Sequence, residues 1–242
     1  MQAAGIKGKR VLVFGLARSG AGAANLLSQL GAEVTVTDRK SESELMGYAK
    51  RLSRPVKLCL GGYPANMNGT DMIVISPGVP LNIGPLLEAK GIGIKVIGEL
   101  ELAYQAVTSN ELQVTSKDKN LSPAFLAITG TNGKSTTTTL LDLMLKRGGL
   151  NTLLGGNIGN ALCEEIYKIA TGKDENPSRV THHLPLDFIV AEVSSFQLEG
   201  TVRFRAQQTG QSGGAFGNVW WLRRRSRRQW PRARFALQRG RA

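Results

Sequence analysis

An α/β fold built on parallel sheets follows from three features of the sequence. Short apolar runs alternate with stretches of helical period through residues 1–205. One run, RVLVFG (10–15), enters a glycine-rich turn, then a helical segment and a second apolar run. The same order of strand, turn and helix recurs at AFLAITGTNGKSTTTTLL, from residue 124.

Each element has its own justification. RVLVFG reads as the first strand, and ARSGAGAANLLSQLG (17–31) carries apolar residues at helical spacing up to a glycine stop. AEVTVTD (32–38) is the second strand, so the unit is a βαβ crossover of right-handed sense. VKLCL (56–60), DMIVIS (71–76) and IKVIG (94–98) are further strands, with helices expected at 41–52, 83–90 and 98–107. VTSNELQVTSKDKNLSP (107–123) is polar and closed by a proline, which marks an interdomain linker. AFLAITG (124–130) opens a second unit, whose helix runs from Lys134 to Lys146 and stops at Gly148-Gly149. NTLLGG (151–156), a helix at 160–170 and a strand in LDFIVAEVSS (186–195) complete it, and GKDENPSRVTHHLP (172–185) reads as a surface loop. The expected organisation is a domain at 1–108, a linker at 109–123, a second domain at 124–205 and a tail at 206–242.

The net charge of +13 belongs to the tail alone. Residues 1–200 hold 20 Lys and Arg against 18 acids, whereas residues 201–242 hold 11 Arg and neither Lys nor acid. A nucleic-acid reading therefore has no support in the body of the chain. No apolar run reaches the roughly 18 residues of a membrane span, and MQAAGIKGKRVLVFG lacks the apolar core of a secretory signal. Cys59 and Cys163 have neither metal-ligand spacing nor disulfide density, which suits a reducing cytoplasm.

The segment GTNGKST (130–136) has the chemistry of a phosphate loop, two residues shorter than G-x-x-x-x-G-K-[ST]. Gly130 and Gly133 permit close backbone approach, and the N–H groups around Thr131 and Asn132, with the following helix N-terminus, make an anion site. Lys134 supplies a cation for β/γ-phosphates, and a Ser135 or Thr136 hydroxyl can reach Mg²⁺. The plain alternative is a glycine turn with a capping hydroxyl and a solvated lysine. Glu192 lies near the carboxyl end of FIVAEV, where ligands of parallel sheets collect, and is a candidate for the same Mg²⁺. Upstream, GLARSG (15–20) matches G-x-G-x-x-G with Ala17 in the second glycine's place, and Asp38 ends the next strand. Taken alone that pattern suits a dinucleotide, or else a tight turn with no ligand.

Together with GTNGKST, the segments VLVFGLARSG, ISPGVP, GGNIG and EVSSFQLE resemble the Mur ligase superfamily, in particular its D-glutamate-adding members. The resemblance covers residues 5 to about 205. It implies a Rossmann-like N-terminal domain that holds the UDP of the substrate, followed by an incomplete P-loop α/β central domain. It further implies ATP-dependent addition of D-glutamate to UDP-N-acetylmuramoyl-L-alanine, through an acyl phosphate, in peptidoglycan precursor synthesis. On that resemblance Ala17, Arg18 and Ser19 lie along the UDP phosphates. Asp38, Arg39 and Lys40 approach the uracil or ribose, and Ser76, Pro77 and Gly78 close the other side. Lys134 stabilises the migrating phosphoryl group, Ser135 and Glu192 hold Mg²⁺, and Asn157, Ser194 and Gln197 orient the muramoyl-alanine end. A cytoplasmic monomer, needing neither membrane nor nucleic acid, is expected.

From about residue 206 the pattern breaks. The family continues its central sheet there, supplies a second-metal histidine and a carbamylated lysine, and adds a C-terminal domain for D-glutamate. This chain instead reads AQQTGQSGGAFGNVWWLRRRSRRQWPRARFALQRGRA, which holds all three tryptophans and no helical or strand period. His182 and His183 precede the Glu192 strand and do not replace the missing histidine. The tail is either out-of-frame translation, without order, or an arginine-rich arm for RNA or phosphate backbones. The expectation is a ligase fragment that lacks turnover, with a non-catalytic nucleotide or UDP-sugar binder and a tail-borne nucleic-acid binder as alternatives.

Overall fold

The computed structural model describes residues 5–53, 55–109, 112, 122–173 and 186–206. Most of the expected linker, most of the 172–185 loop with His182 and His183, and all but the first residue of the tail lie outside the described residues.

The first sheet has strands β1 (Arg10–Phe14), β2 (Glu33–Asp38), β3 (Lys57–Leu60), β4 (Met72–Ile75) and β5 (Lys95–Gly98). All pairs are parallel, in the order β3-β2-β1-β4-β5. The chain winds outward from β1 in one direction and then from β4 in the other, so the order reverses between these two strands. Such a reversal opens a crevice at the strands' carboxyl ends.

Strand alternation explains the layers. Val11, Val13, Val34, Val36, Met72 and Val74 face helices α1 (Arg18–Gln29) and α4 (Glu99–Thr108). Leu12, Phe14, Ile73 and Ile75 face α3 (Gly84–Gly91) through Leu86 and Ala89. Helix α2 (Glu42–Ala49) starts at Ser41, whose N–H and hydroxyl donate to Glu44 at 2.9 and 2.7 Å, a capping box.

A second parallel sheet follows, in the order β6-β8-β7, from β6 (Ala124–Ile128), β7 (Thr152–Gly156) and β8 (Phe188–Glu192). Leu126, Ile128 and Val190 on one face pack beneath Leu141 and Leu145 of α5 (Lys134–Arg147). The outer flank of α5 leaves Leu140, Leu143 and Met144 about half exposed. The opposite face, with Phe125, Leu153, Ile189 and Ala191, meets α6 (Leu162–Thr171).

One apolar cluster runs through both sheets, because α1 and α4 pack against α6 between them. At Gly22 on α1, an added Cβ would sit 2.9 Å from the Glu164 amide nitrogen on α6, so only glycine permits this approach. Arg51 donates to Glu164 at 2.8 Å across the same seam. Burial pulls the Lys168 ammonium down, but Glu165 and Glu164 beside it more than offset this and leave its pKa raised.

Candidate substrate and nucleotide sites

The candidate phosphate loop, GTNGKST, lies where β6 ends at Ile128 and α5 begins at Lys134. Gly133 is the N-cap and stands at φ 73°, a left-handed conformation that suits glycine. The first intrahelical bond runs from Thr137 N to Gly133 O, so helix geometry leaves the preceding amides facing outward. Thr131, Asn132, Gly133, Ser135 and Thr136 are exposed around them. Lys134 folds back over the loop, its ammonium donating to the carbonyls of Gly130 at 2.8 Å and Thr131 at 3.3 Å.

Glu192 stands at the carboxyl end of β8, the middle strand, level with Ile128 on one side and Gly156 on the other. It is 3% exposed. One carboxylate oxygen accepts from Asn157 Nδ2 at 3.0 Å, and the other, also buried, has no partner. Gly156, at φ 104°, makes this possible: a Cβ there would lie 2.4 Å from the Glu192 carbonyl oxygen. An unpartnered buried carboxylate oxygen and a hydroxyl on the first turn of α5, from Ser135, are donors that Mg²⁺ accepts beside phosphate oxygens and water. No cluster of three or more His, Cys, Asp or Glu side chains that could hold a metal occurs among the described residues. A cation here would therefore depend on phosphate oxygens as well, and the residues fit that role.

The other candidate residues gather at the switch point of the first sheet. Gly15, at φ 91°, lets the chain turn from β1 into α1, and a Cβ on Gly20 would strike its carbonyl oxygen at 1.8 Å. Asp38 braces that turn, accepting from Leu16 N at 2.8 Å and Lys40 N at 3.0 Å. Ser76, on the far side, donates its hydroxyl to the Gly15 carbonyl at 3.0 Å. Ala17, the N-cap of α1, is exposed, as are Arg39 and Gly78, while Ser19 and Pro77 are half-buried. Arg18 reaches away from its own turn and donates to the carbonyl of Gly159 at 2.8 Å, in the loop that follows β7.

These contacts make a chain. Ser76 touches Gly15, Arg18 reaches Gly159, Asn157 binds Glu192, and Glu192 lies level with the strand that feeds the phosphate loop. Ser194 and Gln197 differ from the rest, because they spend their polar atoms on each other. Gln197 Oε1 accepts from Ser194 N at 2.9 Å, and Ser194 Oγ accepts from Gln197 N at 3.3 Å, which caps α7 (Ser195–Glu199).

Between α7 and the loop after β4 lies a cleft of about 580 Å³. Pro77, Val79 and Leu81 form one wall, Phe196 and Gln197 the other, and Gly98 and Glu99 the floor. Glu99 is 2% exposed; burial raises its pKa, although one oxygen accepts from Cys163 N at 2.6 Å. Burial likewise pushes the Cys163 thiol well above its ordinary value, so it is a poor nucleophile. Sequence reasoning missed Phe196, Glu99 and Glu101. Two acids inside the apolar run IGELELA were the available signal for the last two.

Residues 9–98 match the Mur ligase MurD-like N-terminal domain, and residues 128–208 match the Mur ligase middle domain. The chain belongs to the Mur ligase family. Strands β1–β5 fall within the first match, β6 ends where the second begins, and β7 and β8 lie within it. UDP-N-acetylmuramoylalanine–D-glutamate ligase of Geotalea daltonii is 44% identical over 202 residues, 83% of this chain and 38% of the relative. The enzymes of that name from Pelotomaculum thermopropionicum and Clostridioides difficile are 41% and 38% identical, over 81% and 83% of this chain. This Mur ligase chain thus spans about 38% of the length of the curated relatives it matches.

Proposed function

We propose that these two Mur ligase domains serve the ATP-dependent joining of D-glutamate to UDP-N-acetylmuramoylalanine, one holding the UDP-linked acceptor and the other the nucleotide. The observation that carries this reading is that Arg18, beside the Gly15 turn, bonds Gly159 in the loop after β7, while Asn157 of that loop bonds Glu192, which stands level with Ile128 just before the glycine-rich loop. The UDP pyrophosphate lies along Ala17, Arg18 and Ser19, between the Gly15 turn and Ser76-Pro77-Gly78. Arg39 and Lys40, with Asp38 bracing the turn, face the nucleoside. Asn157, Ser194 and Gln197 orient the muramoyl-alanine end, the last two through the capped first turn of α7.

Bound MgATP would supply an activated phosphoryl group, which turns the substrate carboxylate into an acyl phosphate that an amine can attack. The chain's own part is electrostatic. Amides of residues 130–136 grip the phosphates, and the Lys134 ammonium leaves the loop carbonyls to neutralise charge on the transferring group. Glu192 and Ser135 would hold Mg²⁺ beside the phosphate oxygens. Cys59 and Cys163, both free thiols, support a cytoplasmic setting.

Calorimetric titration of the full chain tests the reading. Saturable heats are expected with MgATP and, separately, with UDP-N-acetylmuramoylalanine. Lys134→Ala should weaken MgATP about tenfold or more, as when a charge-assisted contact is lost. Absence of heat with either ligand, on a sample that melts cooperatively, would overturn the proposal.

A further inference from the structure

Glu101, on the first turn of α4, is completely buried. Its carboxylate accepts three consecutive backbone N–H groups from the segment that leaves α7: Val202 at 2.8 Å, Arg203 at 2.9 Å and Phe204 at 2.9 Å. The side-chain amide of Gln105 donates to it as well. A helix N-terminus favours a negative charge, and hydrogen bonds to an ionised group are about twice as strong as neutral ones. The segment is fixed at two further points. Gly98 N donates to the Gly200 carbonyl at 2.7 Å, and Phe204 packs edge-on against Tyr104 and Phe125.

These attachments share one consequence. Gly98 and Glu99 floor the cleft, and Gly200 and Gln197 belong to its α7 wall. The width of the cleft is therefore set where α4 holds the 200–204 segment. Gly15 meets the opposite wall of the cleft, through Val79, whereas Glu101 holds the wall that carries α7. We propose that Glu101 is a positioning residue, holding the α7 wall at the spacing that a substrate reaching from the first sheet to the second requires. This inference rests on the substrate reading above.

Two probes separate positioning from mere stability. UDP alone engages the Gly15 turn, whereas UDP-N-acetylmuramoylalanine must also reach Asn157 and α7. In the full chain, Glu101→Gln is expected to weaken UDP-N-acetylmuramoylalanine about tenfold or more, while the Kd of UDP changes less than twofold (~0.4 kcal/mol). Glu101→Asp should restore part of the loss. Gly200→Ala attacks the same joint without touching a charge, since its Cβ would lie 2.8 Å from the Gly98 Cα, and the same split between probes is expected. It decides the matter alone if Glu101→Gln fails to fold. Equal losses for both probes, or none in a folded variant, would overturn the assignment. If the unaltered chain binds UDP-N-acetylmuramoylalanine no better than UDP, it is the substrate reading that fails.

Discussion

Glu99 and Glu101 are two residues apart on the same helical turn, and both are buried. One carboxyl is met by three backbone amides, and the other by a single amide with an oxygen left over. Burial raises the pKa of Glu99, so above pH 4.5 the folded chain retains a proton that the unfolded chain releases. Its contribution is therefore fully present below the unfolded value and declines as pH rises toward the raised folded one. Glu99→Gln should gain stability relative to the parent progressively above pH 4.5, as measured by urea denaturation across a pH series. A constant difference would show that Glu99 holds the same share of its proton in the folded and unfolded chain, so that burial does not raise its pKa. Glu44 behaves oppositely. Its hydrogen bonds from Ser41 lower its pKa, so the cap of α2 holds at neutral pH and weakens as acid titrates that carboxylate.

At the scale of elements, the turn after β7 is the most sensitive. Gly156→Ala must place a methyl group 2.4 Å from the Glu192 carbonyl while keeping a left-handed φ. A loss of about 1–3 kcal/mol is expected from backbone strain, read by chemical denaturation, together with loss of MgATP binding through displacement of Glu192. Unchanged stability would mean the turn relaxes without cost. Strands such as Arg10–Phe14 and Phe188–Glu192 were legible because buried parallel strands are short apolar runs bounded by turns. Helix ends were less so: 41–52 was expected and Glu42–Ala49 forms, the chain turning at Arg51 and Leu52. Helix α7 escaped notice because five residues display no period, although Ser194 and Gln197 spell a capping box.

At the scale of the whole molecule, one apolar cluster spans both sheets. The GTNGKST turn, the Gly15 turn and Glu192 each sit on a short motif at a strand's carboxyl end, which is why sequence offers them as candidates. It does not reveal the cleft or its floor, since Glu99, Phe196 and Pro77 meet only through packing of α4 and α7. Nor does it reveal that one core joins both sheets. Leu162, fully buried on α6, belongs to that shared core. Leu162→Ala should cost about 2–5 kcal/mol, and amides in β1 and β8 should lose hydrogen-exchange protection together. Loss confined to β8 would indicate separate units.

The resting posture of Lys134 has a kinetic corollary. Its ammonium is already engaged by two carbonyl oxygens, so an incoming anion arrives as a competitor rather than as a guest in an empty seat. Binding at this loop is therefore expected to strengthen with the charge of the anion, which titration with inorganic phosphate against chloride would measure.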